Sequence, residues 1–147
     1  MEAVVFIGLQ GSGKSTFYQQ RFAATHVRIN LDTLKTRARE LALLEECIAK
    51  KQNFVVDNTN PTTAERARYI QPAKAVGYKV TAYYFDVDAK DCLARNAQRT
   101  GAARIHPAGV YSTRKRLQPP TQAEGFDSIY KVCPTGADQF TVTPVNS

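Results

Sequence analysis

The chain has 147 residues, of which 43% are hydrophobic, and this length suits one domain with a single core. No apolar run approaches the ~20 residues that a membrane-spanning helix needs, and the N-terminus lacks a signal-peptide pattern, so we expect a cytoplasmic protein without a membrane partner. The formal net charge of +7 favours a nucleic-acid partner, but only weakly, because such a charge also serves solubility.

A glycine-rich loop follows the first predicted strand, "AVVFI" (3–7). The segment "GLQGSGKST" (8–16) fits the pattern G-x-x-x-x-G-K-[ST], in which backbone N–H groups wrap nucleotide phosphates. In this pattern the lysine reaches the β and γ phosphates and the first hydroxyl ligates Mg²⁺. The predicted nucleotide-binding residues are Gly8, Gly11, Ser12, Gly13, Lys14, Ser15 and Thr16. The alternative is a strand-to-helix turn with flexible glycines.

Strand patterns alternate with helical patterns along the rest of the chain, which predicts an α/β fold with a mostly parallel sheet. After the loop come a helix (15–24), a strand "HVRIN" (26–30), a helix with apolar residues at Leu34, Ala38, Leu41, Leu44 and Ile48, and a strand "NFVVD" (53–57). Thr62 and Glu65 form a capping box that opens the next helix, which we expect to bend or end at Pro72. A strand (78–87), a helix (89–100) and a short final strand (128–133) follow. We therefore predict a domain over 1–133 and a tail over 134–147, which either adds one strand or is loose.

Three acidic positions come at the carboxyl ends of predicted strands, where open α/β sheets hold their ligands. Asp57 follows an apolar strand, as expected of a residue in a Mg²⁺ shell; the alternative is an Asx turn. Asp32 lies where an acceptor hydroxyl meets the γ-phosphate, although a helix N-cap would look the same. Asp86 and Asp88 are interpreted as a strand end and a helix cap.

Basic residues concentrate between Arg95 and Arg116. Arg95 and Arg99 are four positions apart on a predicted helix and share a face. Asp91 can pair with Arg95, whereas Arg99 has no acid four positions away. Arginines on a lid can neutralise charge that develops on a moving phosphoryl group, so both are predicted to be catalytic. A solvated basic face is the alternative.

Five segments together resemble the 5′-kinase domain of polynucleotide kinases, of both the phage type and the animal repair type. They are "GLQGSGKST", "INLDTL", "VVDNTNPTTAERARYI", "FDVDAKDCLARNAQR" and "PPTQAEGFDSI". The resemblance spans residues 2–133, and its most specific part is "DNTNP" followed by Arg66, Arg68 and Tyr69. It implies a P-loop NTPase fold with helices on both faces of the sheet and a helical lid that carries arginines.

The resemblance also implies roles for single residues. Lys14 and Ser15 are implied to bind the ATP phosphates and Mg²⁺, and Asp32 to act as the general base facing a 5′-hydroxyl. Asp57 matches the family's acid after the third strand, and we group it with Asn58 as substrate-binding. Arg95 and Arg99 match the lid arginines. Because the chain ends where those enzymes attach a phosphatase domain, we expect no 3′-phosphatase activity.

Lys35 marks a departure from the phage-type pattern, which has an arginine three residues after the base. Asp32 and Lys35 fall at the start of one predicted helix, so we expect them to share a face and Lys35 to bind a phosphate of the acceptor strand. A solvated lysine is the alternative.

The sequence thus predicts a kinase that uses ATP and Mg²⁺ to phosphorylate 5′-OH ends of DNA or RNA. Repair partners such as a ligase or a phosphatase would be supplied separately. Two alternatives stay open: a P-loop kinase for a sugar or nucleoside, and a non-catalytic ATP-binding subunit.

Overall fold

A six-stranded sheet organises the chain, and its strand order is β2-β3-β1-β4-β5-β6. The computed structural model describes residues 1–96, 107–136 and 138–145. Within them the strands are β1 (Glu2–Gly8), β2 (Val27–Ile29), β3 (Phe54–Val56), β4 (Lys79–Phe85), β5 (Ser128–Gly136) and β6 (Gln139–Pro144). The helices are α1 (Lys14–Arg21), α2 (Leu31–Leu34), α3 (Arg37–Ala49), α4 (Thr63–Ala75), α5 (Ala89–Asn96) and α6 (Pro107–Arg116). Each neighbouring pair from β2 to β5 is parallel, and β6 is antiparallel to β5.

Both faces of the central strand β1 are buried beneath helices. Ala3, Val5 and Ile7 belong to a core cluster that includes residues of α3 and α4, whereas Val4 and Phe6 belong to a cluster with residues of α1. This alternation follows from the pleat, which points successive side chains to opposite faces. A strand buried on both sides explains the unbroken apolar run, and the predicted α/β class with helices on both faces is confirmed.

The helix predicted to carry both Asp32 and Lys35 is in fact two helices. α2 ends at Leu34, Lys35 has a φ of 77°, and α3 begins after Thr36, whose hydroxyl accepts from the Arg39 N–H at 3.2 Å. The prediction that Asp32 and Lys35 share a helix face is therefore wrong. The apolar spacing assumed one face that runs from Leu34 through Leu41, but Leu41 is 51% exposed and α3 reaches the core through Leu44 and Cys47. The apolar face of α3 therefore does not continue that of α2.

The positive φ of Lys35 predicts how substitutions at this position change the stability of the fold. A Cβ costs about 1–2 kcal/mol when φ is positive, and glycine avoids this cost. We expect Lys35→Gly to be more stable than Lys35→Ala by about 1 kcal/mol in chemical denaturation. Ala42→Gly, at an exposed position inside α3, is the control and should lose about 1 kcal/mol. If Lys35→Gly is less stable than Lys35→Ala, the backbone of Lys35 is not strained and the prediction is wrong.

Two further helix and strand boundaries differ from the sequence reading. α4 begins where predicted, and the Thr62 hydroxyl accepts from the Glu65 N–H at 3.2 Å. The predicted capping box is only half formed, because the Glu65 carboxylate bonds Arg116 rather than the Thr62 N–H. The helix continues through Pro72 to Ala75. Ala73, just beyond the proline, is fully buried in the core, which explains why the helix does not stop there. β5 extends to Gly136, beyond its predicted end at residue 133. Residues 139–144, for which the sequence allowed either an added strand or a loose tail, form β6 at the sheet edge.

Candidate active site at the carboxyl ends of the strands

The glycine-rich loop joins β1 to the N-terminus of α1. Gly8 ends β1, and its N–H donates to the Thr59 carbonyl at 3.1 Å. Gly13 caps α1 with a φ of 98°. Gly11 has a φ of 82°, and a Cβ there would come within 2.7 Å of the Cys92 carbonyl oxygen in α5. The glycines thus allow a tight turn beside α5, and the helix N-terminus is oriented as in anion-binding loops.

Lys14 is buried against the loop that precedes it. Its ammonium donates to the carbonyls of Leu9 at 2.6 Å and Gly8 at 3.0 Å, and it lies 3.4 Å from the Ser12 hydroxyl. Ser12 is fully buried, and Thr16 is half-buried in the first turn of α1. The loop therefore holds a positive charge at the helix N-terminus, where nucleotide phosphates are bound in this kind of loop.

Ser15 and Asp57, the two predicted metal ligands, are adjacent. The Ser15 hydroxyl donates to Oδ2 of Asp57 at 3.1 Å, and the Asp57 side chain is 1% exposed. Hydroxyl and carboxylate oxygens suit Mg²⁺, so the residues present fit this ion. The alternative of an Asx turn at Asp57 is not what the structure shows, because the partners of its carboxylate are Ser15 and Arg28.

Arg28 contacts both of these residues, and the sequence reasoning missed it. Its Nε donates to Oδ2 of Asp57 at 2.9 Å, and its Nη2 donates to the Ser15 hydroxyl at 3.0 Å. The signal was an arginine inside the short apolar strand β2, which pairs with β3 directly before Asp57. A cation that binds Ser15 and Asp57 must therefore share their oxygens with a guanidinium.

Because Arg28 bonds the same oxygens that Mg²⁺ would use, Arg28→Gln should change how Mg²⁺ affects nucleotide binding. We expect Mg²⁺ to strengthen ATP binding more in the variant than in the wild type, because the ion no longer competes with the guanidinium. A hydrogen bond to a charged group contributes about 1.5–3 kcal/mol, so the ratio of ATP Kd values without and with Mg²⁺ should rise roughly tenfold or more. Calorimetric titrations with and without Mg²⁺ measure it. Arg21→Gln, which removes an arginine stacked on Phe17, should leave the ratio unchanged; an unchanged ratio in Arg28→Gln would contradict the competition.

Asp32 lies in the first turn of α2 with an exposed side chain. The helix cap is Asn30, whose Oδ1 accepts from the Thr33 N–H at 3.0 Å, so the N-cap alternative for Asp32 is wrong. The Asn30 amide also donates to the Asp57 carbonyl at 2.6 Å. This bond ties the helix that carries Asp32 to the end of β3, beside Ser15 and the glycine-rich loop.

Asn58 belongs to a buried polar network that the sequence did not reveal. Its Oδ1 accepts from the Leu31 N–H at 2.9 Å, and its Nδ2 donates to Oε2 of Glu40 at 2.9 Å. The Tyr69 hydroxyl donates to Oε1 of the same carboxylate at 2.9 Å. Burial, and then the negative charge of Glu40, raises the pKa of Tyr69, so this hydroxyl stays protonated as a donor. Asn58 is thus a structural link to α2.

The "DNTNP" loop has a rigid support beneath it. Asn60 has a φ of 45°, and its amide donates to the Phe6 carbonyl at 2.8 Å. Nε of Arg66, a fully buried side chain, donates to the Asn60 carbonyl at 2.9 Å. These contacts explain why an arginine follows this loop, and they give Arg66 a structural position rather than an exposed one.

The remaining predicted site residues are placed only in part. Lys35 is exposed on the turn between α2 and α3. Arg95 belongs to α5, but its side chain and the whole of Arg99 lie outside the described residues. α5 and α6 pack together through Cys92 and Val110, with Leu9 of the loop in the same cluster.

The family model described as an AAA domain matches residues 4–120. The chain belongs to this family. Among the residues that the structure describes, no helix is long and apolar enough to cross a membrane.

Curated relatives of this AAA domain include two that are named as polynucleotide kinases. The bifunctional polynucleotide phosphatase/kinase of Schizosaccharomyces pombe is 28% identical over 137 residues, which cover 89% of this chain and 33% of the relative. The putative bifunctional polynucleotide phosphatase/kinase of Acanthamoeba polyphaga mimivirus is 40% identical over 141 residues, with the same two coverages, 89% and 33%. The chain thus spans about a third of their length, and the predicted resemblance to polynucleotide kinases is confirmed.

Solved structures share the fold at low identity. Chaetomium thermophilum Kti12, solved in complex with ADP-AlF3, has a TM-score of 0.67 at 15% identity and covers 89% of this chain and 88% of that one. A sugar kinase from Janibacter sp. HTCC2649 has a TM-score of 0.68 at 16% identity, with coverages of 89% and 85%. Together with the family match, these likenesses confirm the predicted P-loop NTPase fold.

Proposed function

We propose that this chain is a polynucleotide kinase that uses ATP and Mg²⁺ and transfers the γ-phosphate of ATP to the 5′-OH of DNA or RNA. The observation that carries the proposal is the exposed carboxylate of Asp32 on a helix tied to the Asp57 backbone, beside the glycine-rich loop. The names of the two curated relatives support the acceptor class. The net charge of +7 agrees with a polyanionic acceptor.

The glycine-rich loop would bind the donor. Lys14 places its charge where the β and γ phosphates are expected, and the N-terminus of α1 adds its dipole. Mg²⁺ held by Ser15 and Asp57 would neutralise charge on the phosphates. The loop and Lys14 would thus hold the donor phosphates for attack from the side on which α2 lies.

Asp32 would bind and orient the attacking hydroxyl. No hydrogen bond or ion pair joins its carboxylate to another residue in the described part of the chain, so its oxygens are available to an acceptor. We expect the orientation of the hydroxyl to matter as much as acceptance of its proton. Lys35 remains a proposed contact for an acceptor phosphate, now from the turn after α2, and Arg95 and Arg99 remain proposed charges for the transition state.

Asp32→Asn tests this assignment. The amide keeps the shape of the carboxylate but cannot take the proton, so kcat for a 5′-OH oligonucleotide should fall roughly 100-fold or more. The ATP Kd should not change, because Asp32 lies on the acceptor side. Steady-state kinetics and ATP titration separate the two quantities. Glu45→Gln, at an exposed carboxylate in α3, is the control; a variant that loses ATP affinity instead of kcat would remove Asp32 from the acceptor role.

A small-molecule acceptor is the second candidate, because a sugar kinase shares the fold. The two candidates differ in what Asp32 would contact: a 5′-hydroxyl next to a phosphodiester, or a hydroxyl of an uncharged molecule. Only the first requires cations beside α2, and Lys35, Arg37 and Arg39 are exposed there.

A further inference from the structure

The start of the helix that carries Asp32 is held by polar contacts, whereas Leu34 at its end packs against the core. α2 has four residues, none of them buried. Two asparagine side chains hold its N-terminal end: Asn30, whose amide donates to the Asp57 carbonyl, and Asn58, whose Oδ1 accepts from the Leu31 N–H at 2.9 Å. Leu31 directly precedes Asp32. The direction in which Asp32 points therefore depends on how these two asparagines are held.

Asn58 is held by a buried carboxylate that the proposed transfer does not use. Glu40 is 1% exposed, and its Oε2 accepts from Nδ2 of Asn58 at 2.9 Å. Its other oxygen, Oε1, accepts from the Tyr69 hydroxyl at 2.9 Å and from Nη1 of Arg37 at 2.8 Å. Both carboxylate oxygens are thus engaged by donors.

We propose that Glu40 is a positioning residue for Asp32 and acts through Asn58. The carboxylate binds the NH₂ end of the Asn58 amide, which leaves the oxygen end as the acceptor for the Leu31 N–H. Glu40 thereby fixes the start of α2 and the position of the acceptor-side carboxylate. The inference rests on the proposed function, because the acceptor role of Asp32 is itself proposed. It adds a residue that contacts neither substrate.

Glu40→Gln should break this chain of hydrogen bonds. The Tyr69 hydroxyl can donate or accept, and its oxygen already accepts from Nδ2 of Asn58 at 3.3 Å, but the Arg37 guanidinium can only donate. We therefore expect Arg37 to select the oxygen of the introduced amide, so that the NH₂ of that amide faces the NH₂ of Asn58. Two donors repel each other. If Asn58 rotates to offer its oxygen to the introduced amide, its NH₂ then faces the Leu31 N–H. Both arrangements that keep the Arg37 hydrogen bond leave one pair of donors opposed, and α2 then loses an anchor.

A second substitution can repair the pattern. In the double variant Glu40→Gln with Asn58→Asp, the new carboxylate accepts from the glutamine NH₂ with one oxygen and from the Leu31 N–H with the other. The total charge of the pair is the same as in the wild type. Asn58→Asp alone places two carboxylates side by side, so it should be as damaging as Glu40→Gln alone.

The experiment measures the two single variants and the double variant in three ways: kcat on a 5′-OH oligonucleotide, the ATP Kd, and hydrogen exchange of the Leu31 amide by NMR. We expect each single variant to lose roughly 10- to 100-fold in kcat, since small displacements of a reacting group are costly, with an unchanged ATP Kd and faster Leu31 exchange. The double variant should recover to within a few-fold of the wild type. Glu46→Gln, which removes an exposed carboxylate paired with Lys50, is the control and should change nothing.

The inference would be overturned if the double variant recovered neither kcat nor Leu31 protection relative to Glu40→Gln. So would a Glu40→Gln variant with wild-type kcat and wild-type exchange. If the wild type phosphorylates no polynucleotide, the proposed function fails. In that case the Leu31 exchange of the same variants still decides whether Glu40 holds α2.

Discussion

Lys14→Met is expected to abolish measurable transfer, with a loss of at least 100-fold in kcat. The ammonium is the positive charge that the loop holds, and a preorganised charge at developing negative charge contributes about 10²- to 10³-fold. Methionine keeps much of the aliphatic stem of a side chain that is 8% exposed, so the core beneath the loop should persist. Single-turnover measurements with labelled ATP, which report the transfer step itself, are the measurement.

The fold of this variant must be checked, because the Lys14 ammonium also donates to the carbonyls of Gly8 and Leu9. We expect circular dichroism and the melting temperature to stay close to those of the wild type. Gln19→Ala, at an exposed position of α1 outside the glycine-rich loop, is a comparison that removes no charge and should retain full turnover. Full turnover in Lys14→Met would mean that the loop does not bind the transferred phosphate.

Arg66→Met should cause the largest loss of stability. The side chain is completely buried; its Nη1 donates to both oxygens of Glu124 at 3.1 and 3.0 Å, and its remaining nitrogens donate to the carbonyls of Asn60, Pro61 and Gln118. Burial lowers the pKa of Arg66 and the Glu124 carboxylate opposes this, so the group acts as a buried ion pair. Methionine leaves a carboxylate that is 8% exposed without its ion-pair partner, although the Thr121 N–H still donates to it at 2.8 Å. Removing one member of such a pair costs about 3–5 kcal/mol.

Chemical denaturation and thermal melting check this value, and the melting temperature should fall by roughly 10–20 °C in a domain of this size. Arg116→Met is the matched control: its ion pair with Glu65 at 3.3 Å is on the surface, with side chains 51% and 29% exposed, and should contribute about 0–1 kcal/mol. If Arg66→Met does not fold, Arg66→Lys can be measured instead. Lysine keeps the positive charge but not the five donors of the guanidinium, so its loss of stability should be greater than that of Arg116→Met. Equal losses for Arg66→Met and Arg116→Met would contradict the structural role of Arg66.

The fold was predictable because its signals are local. Apolar runs such as "AVVFI" and "NFVVD" alternate with amphipathic segments, and the glycine-rich loop gives the junction of β1 and α1 directly. The pairing of Ser15 with Asp57 was also accessible, because strands that end at one edge of a sheet bring their following residues together. The boundary at Lys35 was not, since its positive φ breaks a helix that the apolar spacing would continue.

The residues that sequence reasoning missed act over long separations in the chain. Arg28 reaches Asp57, and Glu40 reaches Asn58 and Tyr69. No spacing rule relates such residues, and each looks alone like a surface charge on a strand or helix. Glu40 in particular occupies a position that an apolar residue would be expected to fill, and only the donors around it explain its burial. Contacts of this kind follow from tertiary packing rather than from the pattern of one segment.

The central claim is that the acceptor is the 5′-hydroxyl of a polynucleotide. The most direct measurement offers γ-labelled ATP and Mg²⁺ with four acceptors in parallel: oligonucleotides with a 5′-OH end, the same oligonucleotides with a 5′-phosphate, nucleosides, and sugars. We predict label on the 5′-OH oligonucleotides alone, and its loss in Asp32→Asn. Label that appears only on nucleosides or sugars would contradict the account, and so would the absence of transfer to every acceptor.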